Sequence, residues 1–153
     1  MLRSVTLIVG NKTPSNIHPF IVSSNLTSTD TIRRMAANSS ADYVLIVTKP
    51  TPVSFGDGAI ERLVHAASDS DAAMVYADHY EKRHEADGEQ VTRHPAIDYQ
   101  IGSIRDDFDF GSVLLIRGDH LREWAEKAEA THYQYAGLYD LRLYLSRHAN
   151  CSI

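Results

Sequence analysis

Apolar positions in this chain fall into short unbroken runs separated by stretches of helical periodicity. Val5-Thr6-Leu7-Ile8-Val9 is the first run, and Gly10-Asn11 with the turn-rich Lys12–Asn16 closes it. Phe20-Ile21-Val22-Ser23 is a second, and the spacer between the two is only about ten residues. A parallel crossover needs a dozen or more residues, so these strands either pair as neighbours or lack an intervening helix. Ile32, Met35 and Ala36 then recur at i, i+3 and i+4, which predicts a helix over 31–38 with Ser28, Thr29 and Asp30 as capping candidates. Ala41-Asp42-Tyr43-Val44-Leu45-Ile46-Val47 is a strand that must stop at Pro50 and Pro52, where ladder donors are missing.

A second helix starts near Ser54 or Asp57 and runs to about Ser68, with Ala59, Ile60, Leu63, Val64 and Ala67 on its apolar face. Ala72-Ala73-Met74-Val75-Tyr76-Ala77 is the next strand, and it opens into Asp78-His79-Tyr80-Glu81. Beyond it the texture turns polar: Lys82–Arg93 reads as an exposed hairpin or loop around Asp87-Gly88, and 94–100 as extended. Ser112–Ile116 is a further strand. Helices follow with Leu121, Trp124, Ala125 and Ala128 on one stripe, and with Leu138, Leu141 and Leu145 on another between Tyr135 and His148.

Strand alternating with helix predicts an α/β domain: a three-layer sandwich whose mostly parallel central sheet is flanked by helices. Buried parallel strands read as continuous apolar runs, as 43–47 and 73–77 do. The 153 residues are expected to form one domain, 1–153, with 81–111 as a loop-rich insertion.

Composition adds exclusions. A net charge of −5 argues against a general nucleic-acid binder. No apolar run approaches the roughly 20 residues that span a bilayer. The single cysteine, Cys151, excludes an internal disulfide framework and leads us to expect a reducing, cytoplasmic setting.

Candidate chemistry is carried by carboxylates. Asp78 and His79 stand at a strand end, where open α/β sheets bind ligands. Asp106, Asp107 and Asp109 stand with Arg105 in a glycine-bounded acidic segment just before a strand, and Asp140 in the first turns of the last helix. Such groups either bind a divalent cation that neutralises phosphate oxygens or supply a general base for a hydroxyl. Each also has a plainer reading: Asp106 and Asp107 as cap or Arg105-paired residues, Asp140 as an exposed helix-start residue, His79 as a hydrogen-bonded edge histidine. Ser28, Thr29 and Asp30 are candidates for a phosphate or ribose contact at a helix N-terminus, or form a simple cap.

Four stretches, in order, resemble glycosyltransferase family 2: Ala41–Val47 its central strand, Ala59–Val64 the helix after it, Met74–His79 the strand often ending Tyr-Ser-Asp, and Tyr139-Asp140-Leu141-Arg142-Leu143 its Tyr-Asp-Leu helix start. Phe110–Arg117 sits where the family has a strand ending in Arg. The resemblance implies a GT-A-like fold, Mg²⁺ or Mn²⁺ as cofactor, and transfer of sugar from a nucleotide-diphosphate donor to a glycan or lipid-linked acceptor. It casts Asp140, Asp106 and Asp107 as catalytic candidates, Asp78 and His79 as metal ligands, and Asp78, His79, Lys49, Arg105 and Asp30 as substrate-binding residues. Two departures matter. The Asp-x-Asp metal motif is replaced by Val47-Thr48-Lys49-Pro50-Thr51, where Lys49 would replace some of the metal's positive charge near a diphosphate. The acid before Tyr139 is replaced by Leu138. A non-catalytic nucleotide-sugar-binding or interaction domain is therefore the alternative, and a metal-dependent phosphate-ester hydrolase a third.

Overall fold

The computed structural model describes residues 3–8, 17–22, 25–48, 53–100, 108, 110–148 and 150–152. Among these residues, eight strands and four helices follow one another as β1 (Arg3–Ile8), β2 (Ile17–Val22), α1 (Thr29–Ala37), β3 (Tyr43–Val47), α2 (Ala59–Asp69), β4 (Ala72–Tyr76), β5 (His79–Glu85), β6 (Gly88–His94), β7 (Val113–Arg117), α3 (Gly118–Lys127), α4 (Gly137–His148) and β8 (Asn150–Ser152). A 3-10 turn at Ala128–Ala130 extends α3. Six strands form one sheet in the order β2-β1-β3-β7-β4-β8, and β5 with β6 forms a separate ribbon.

The expected mostly parallel sheet, and with it the GT-A-like sandwich, is overturned by the pairing. β1 is antiparallel to β2 and to β3, and β7 is antiparallel to both β3 and β4. Among the described residues only β4 and β8 pair in parallel. The physical reason is adjacency. The crossovers through α1 and α2 do return the chain in the same direction, but the strands they join are not neighbours. β1 lies between β2 and β3, and β7 lies between β3 and β4. The chain leaves β4 into the β5–β6 ribbon, and β7, antiparallel to β4, re-enters the sheet from the end at which β4 left it. The short spacer near the N-terminus has the first of its two expected outcomes, since β1 and β2 pair as antiparallel neighbours.

Helices cover both faces. Val44, Ile46, Met74, Tyr76, Leu114 and Ile116 share a cluster with the apolar stripes of α1, α3 and α4. Tyr43, Leu45, Val75 and Leu115 pack with Val64 and Ala67 of α2. The alternation within β3 and β7 is the period-2 geometry of a strand buried on both sides. Observed helix limits lie within a few residues of those expected. Ser28 is the α1 cap, its Oγ accepting from Thr31 N at 3.2 Å. Arg117 is the cap residue of α3, and Asp119 stands inside its first turn. The hairpin expected around Asp87-Gly88 is the β5–β6 ribbon, closed by Glu85 opposite Gly88.

Candidate functional site

α1 returns along the sheet from its N-terminus to the start of β3, and α4 leads down to β8. The topology therefore places the C-terminal ends of β3 and β4, the entry to β7 and the N-termini of α1 and α4 at one end of the sheet. Backbone contacts tie three chain segments together there. Thr48 N donates to Ser112 O at 2.9 Å, and Thr48 Oγ1 donates to Gly111 O at 3.2 Å. Gly111, at φ +79°, lies so close to the segment after β4 that a Cβ would stand 3.4 Å from both Ala77 O and His79 Nδ1. Thr48 precedes Lys49, and Gly111 follows the acidic segment. Lys49, Arg105, Asp106 and Asp107 themselves lie outside the described residues.

Asp78 is at this edge and both its oxygens are engaged. Oδ2 accepts from Arg93 Nη2 at 2.8 Å, and Oδ1 from Ala96 N at 2.8 Å. The Arg93 guanidinium, then the Ala96 amide, hold its carboxyl below the ordinary range. Asp78 thus fastens the far strand of the β5–β6 ribbon and the segment after it to the end of β4. His79 stacks on His94 with ring centroids 4.9 Å apart and planes 9° from parallel. His94 Nε2 lies 3.3 Å from Glu81 Oε2, off hydrogen-bond geometry. The pair Asp78 and His79 does not fit a divalent cation, because a guanidinium already stands against the carboxylate. Among the described residues no group of three or more His, Cys, Asp or Glu is arranged to hold a metal.

A depressed carboxyl contributes stability above its unfolded pKa of about 3.9 and loses it as pH falls through the lower folded value. Acidification is therefore expected to release the Ala96 amide before the core opens, read as loss of its hydrogen-exchange protection below about pH 4. In Asp78→Asn this early step should be absent; an Ala96 amide that stays protected in the wild type down to global acid unfolding would contradict it.

Asp140 stands in the first turn of α4 with Oδ2 accepting from Trp124 Nε1 at 2.9 Å, a bond that joins α4 to α3. Two residues on, Arg142 lies over the Phe110 ring at 4.9 Å. Phe110 contacts Tyr76 and Phe108 at centroid distances of 5.1 and 4.5 Å. Tyr76 donates its hydroxyl proton to Ile97 O at 2.7 Å. This aromatic group, whose signal was the Phe108-Asp109-Phe110 spacing, anchors the end of the acidic segment on the core. Asp30 pairs with His132 at 3.2 Å, both largely exposed. The α1 terminus is filled by protein: Thr29 N donates to Tyr133 O at 2.9 Å and Thr31 N to Ser28 Oγ at 3.2 Å, so the expected phosphate contact there has lost those amide donors.

A depression of about 260 Å³ lies at the other end of the sheet, lined by Asp42, Tyr43, Asp71, Arg117, Asp119 and Arg122. Its charged groups are held by protein partners, Arg122 by the Ser39 and Ala41 carbonyls. Arg117 donates to both oxygens of Asp119, at 3.3 and 2.7 Å, and to Asp71. Burial alone would raise the Asp119 carboxyl; the Arg117 bonds and the His120 amide outweigh it and hold it low. We regard this depression as a structural knot joining the end of α2 to β7 and α3, remote from the candidate edge.

Comparison with family models, curated proteins and solved structures finds no match to this chain. No helix of the described residues is long and apolar enough to cross a membrane.

Proposed function

We propose that the chain binds a nucleotide-diphosphate sugar at the edge formed by β3, β4 and β7 and transfers its sugar to an acceptor hydroxyl, in the manner of the family 2 glycosyltransferases its segments resemble. The observation that carries the reading is the convergence of Thr48, Ala77–His79 and Gly111–Ser112 at one end of the sheet. Thr48 immediately precedes Lys49, and Gly111 lies a few residues after Arg105–Asp107 in the sequence. Cationic side chains there would face the diphosphate, and a carboxylate would take the proton of the attacking hydroxyl.

With Asp78 bonded to Arg93 and Ala96, and Asp140 bonded to Trp124, the base in this reading is Asp106 or Asp107. The same two observations favour a second reading, a domain that binds the nucleotide sugar without turnover.

One assay separates them. Thermal stability is measured with UDP-, GDP- and dTDP-glucose, each with and without Mn²⁺, and donor turnover is followed in parallel. Stabilisation with turnover that disappears in Asp106→Asn/Asp107→Asn is the expected result. Stabilisation with no turnover in the wild type selects the binding domain. No stabilisation by any of the three removes both readings. Lys49→Ala should weaken nucleotide-diphosphate binding, and unchanged affinity with and without Mg²⁺ would take Lys49 out of the site.

A further inference from the structure

Among the described residues the β5–β6 ribbon is a sheet of two strands only, so each strand has an outer edge with no neighbour. β6 is exposed along nearly its whole length and carries neither a proline nor a shift of register. The two-residue loop Ala86-Asp87 makes Glu85 and Gly88 a hydrogen-bonded pair. Such pairs alternate along an antiparallel ladder, so the others are Arg83 with Gln90, Glu81 with Thr92 and His79 with His94. Glu89, Val91 and Arg93 therefore turn their backbone N–H and C=O groups outward. Among the described residues no hydrogen bond reaches those groups.

A bare and regular edge is a template for a further strand, and the residues on this one select which strand fits. An antiparallel copy of β6 on a twofold axis through Val91 sets Val91 opposite itself. Glu89 then faces the partner's Arg93, Arg93 faces the partner's Glu89, and Gln90 faces the partner's Thr92. Every outward residue meets an outward residue, so each of those pairs can exchange both N–H···O bonds. The charges fit the same axis. Lys82 Nζ lies 3.0 Å from Glu89 Oε1, and Arg93 Nη2 lies 2.8 Å from Asp78 Oδ2. Each contact leaves the other Glu89 oxygen and the remaining Arg93 donors for the partner. Across the axis the side chains run Lys82, Glu89, the partner's Arg93, the partner's Asp78, alternating in sign. The outer edge of β5 lacks this match. Its outward residues are Tyr80, Lys82 and His84, and the equivalent axis would set Lys82 against Lys82, a like-charge pair. We propose that β6 pairs with β6 of a second copy of this chain about a twofold axis at Val91. The two ribbons then form one four-stranded antiparallel sheet, past the two-strand size that is marginal by itself.

Sedimentation velocity from about 10 μM to about 1 mM reads the association, and amide hydrogen exchange at both ends of that range reads the edge. A monomer–dimer equilibrium is expected, with the Glu89, Val91 and Arg93 amides gaining protection at high concentration and those of Tyr80, Lys82 and His84 gaining none. Glu89→Lys sets like charges opposite each other on both sides of the axis and should weaken the dimer about tenfold or more. Val91→Pro removes an outward donor while sparing the ladder to β5, and should abolish it. A monomer throughout the range, or a dimer that Glu89→Lys leaves at wild-type strength, overturns the pairing. So does growth beyond the dimer, the signature of a head-to-tail contact of β6 on β5. The association requires no nucleotide sugar, so its failure and that of the transferase reading are separate results.

Discussion

Gly118→Ala is expected to be the most disruptive single-methyl change in the described fold, costing about 3 kcal/mol or more. Gly118 opens α3 and is buried, and its N–H donates to Asp42 O at 2.7 Å. A Cβ there would stand 2.0 Å from Ala41 O and 2.8 Å from Arg122 Nη1. Arg122 is the far end of a flexible side chain and can move. The Ala41 carbonyl belongs to the entry of β3 and cannot move without that strand. The added methyl must therefore part α3 from β3, and the Asp42 bond with it. Urea unfolding of wild type and variant checks this. A change under about 0.5 kcal/mol, the range of an ordinary surface substitution, would mean that α3 does not start where the structure places it.

Trp124→Ala is expected to cost about 3–5 kcal/mol by opening a cavity where a large side chain packs. Trp124 is 1% exposed and belongs to the cluster formed by α1, α3, α4 and one sheet face. The alanine variant also strips Asp140 of the indole donor at 2.9 Å. Trp124→Phe keeps an aromatic ring and a smaller cavity while removing the N–H, and is expected to cost less than the alanine change, about 1–3 kcal/mol. The pair also decides the standing of Asp140. As a structural acceptor, Asp140→Asn should lower stability and couple to Trp124→Phe in a double-mutant cycle. If Asp140 were the base, Asp140→Asn would abolish turnover and leave the unfolding midpoint in place.

Much of the element pattern could be read from residues alone, and the sheet could not. The continuous runs at 43–47 and 72–76 are buried strands, and Ile32–Met35–Ala36 is the inward stripe of α1. A strand, helix and strand in sequence do specify direction: β3 and β4 run the same way. They do not specify adjacency, and β7, arriving some forty residues later, takes the place between them. β8 gave no sign of itself, because Asn150-Cys151-Ser152 has neither apolar length nor alternation. At the candidate edge, Asp78 and His79 were legible as a strand-end pair. Their use was not, since Arg93 and Ala96, which engage Asp78, come from the ribbon and the segment after it, whose return path the sequence leaves open. The Arg117–Asp119–Asp71 knot was missed for the same reason, as its partners are 46 residues apart. Tyr135 was read as the start of the last helix, which begins two residues later at Gly137.

The central claim is that the β3–β4–β7 edge is where a nucleotide-diphosphate sugar binds. Amide chemical-shift mapping with whichever of UDP-, GDP- or dTDP-glucose stabilises the protein most tests it directly. The account predicts perturbations at Thr48, Ala77, Asp78, Gly111 and Ser112, with Asp71, Arg117 and Asp119 unmoved. Perturbations centred on Arg117 and Asp119, or none at any concentration up to millimolar (about −4 kcal/mol of binding), would contradict it.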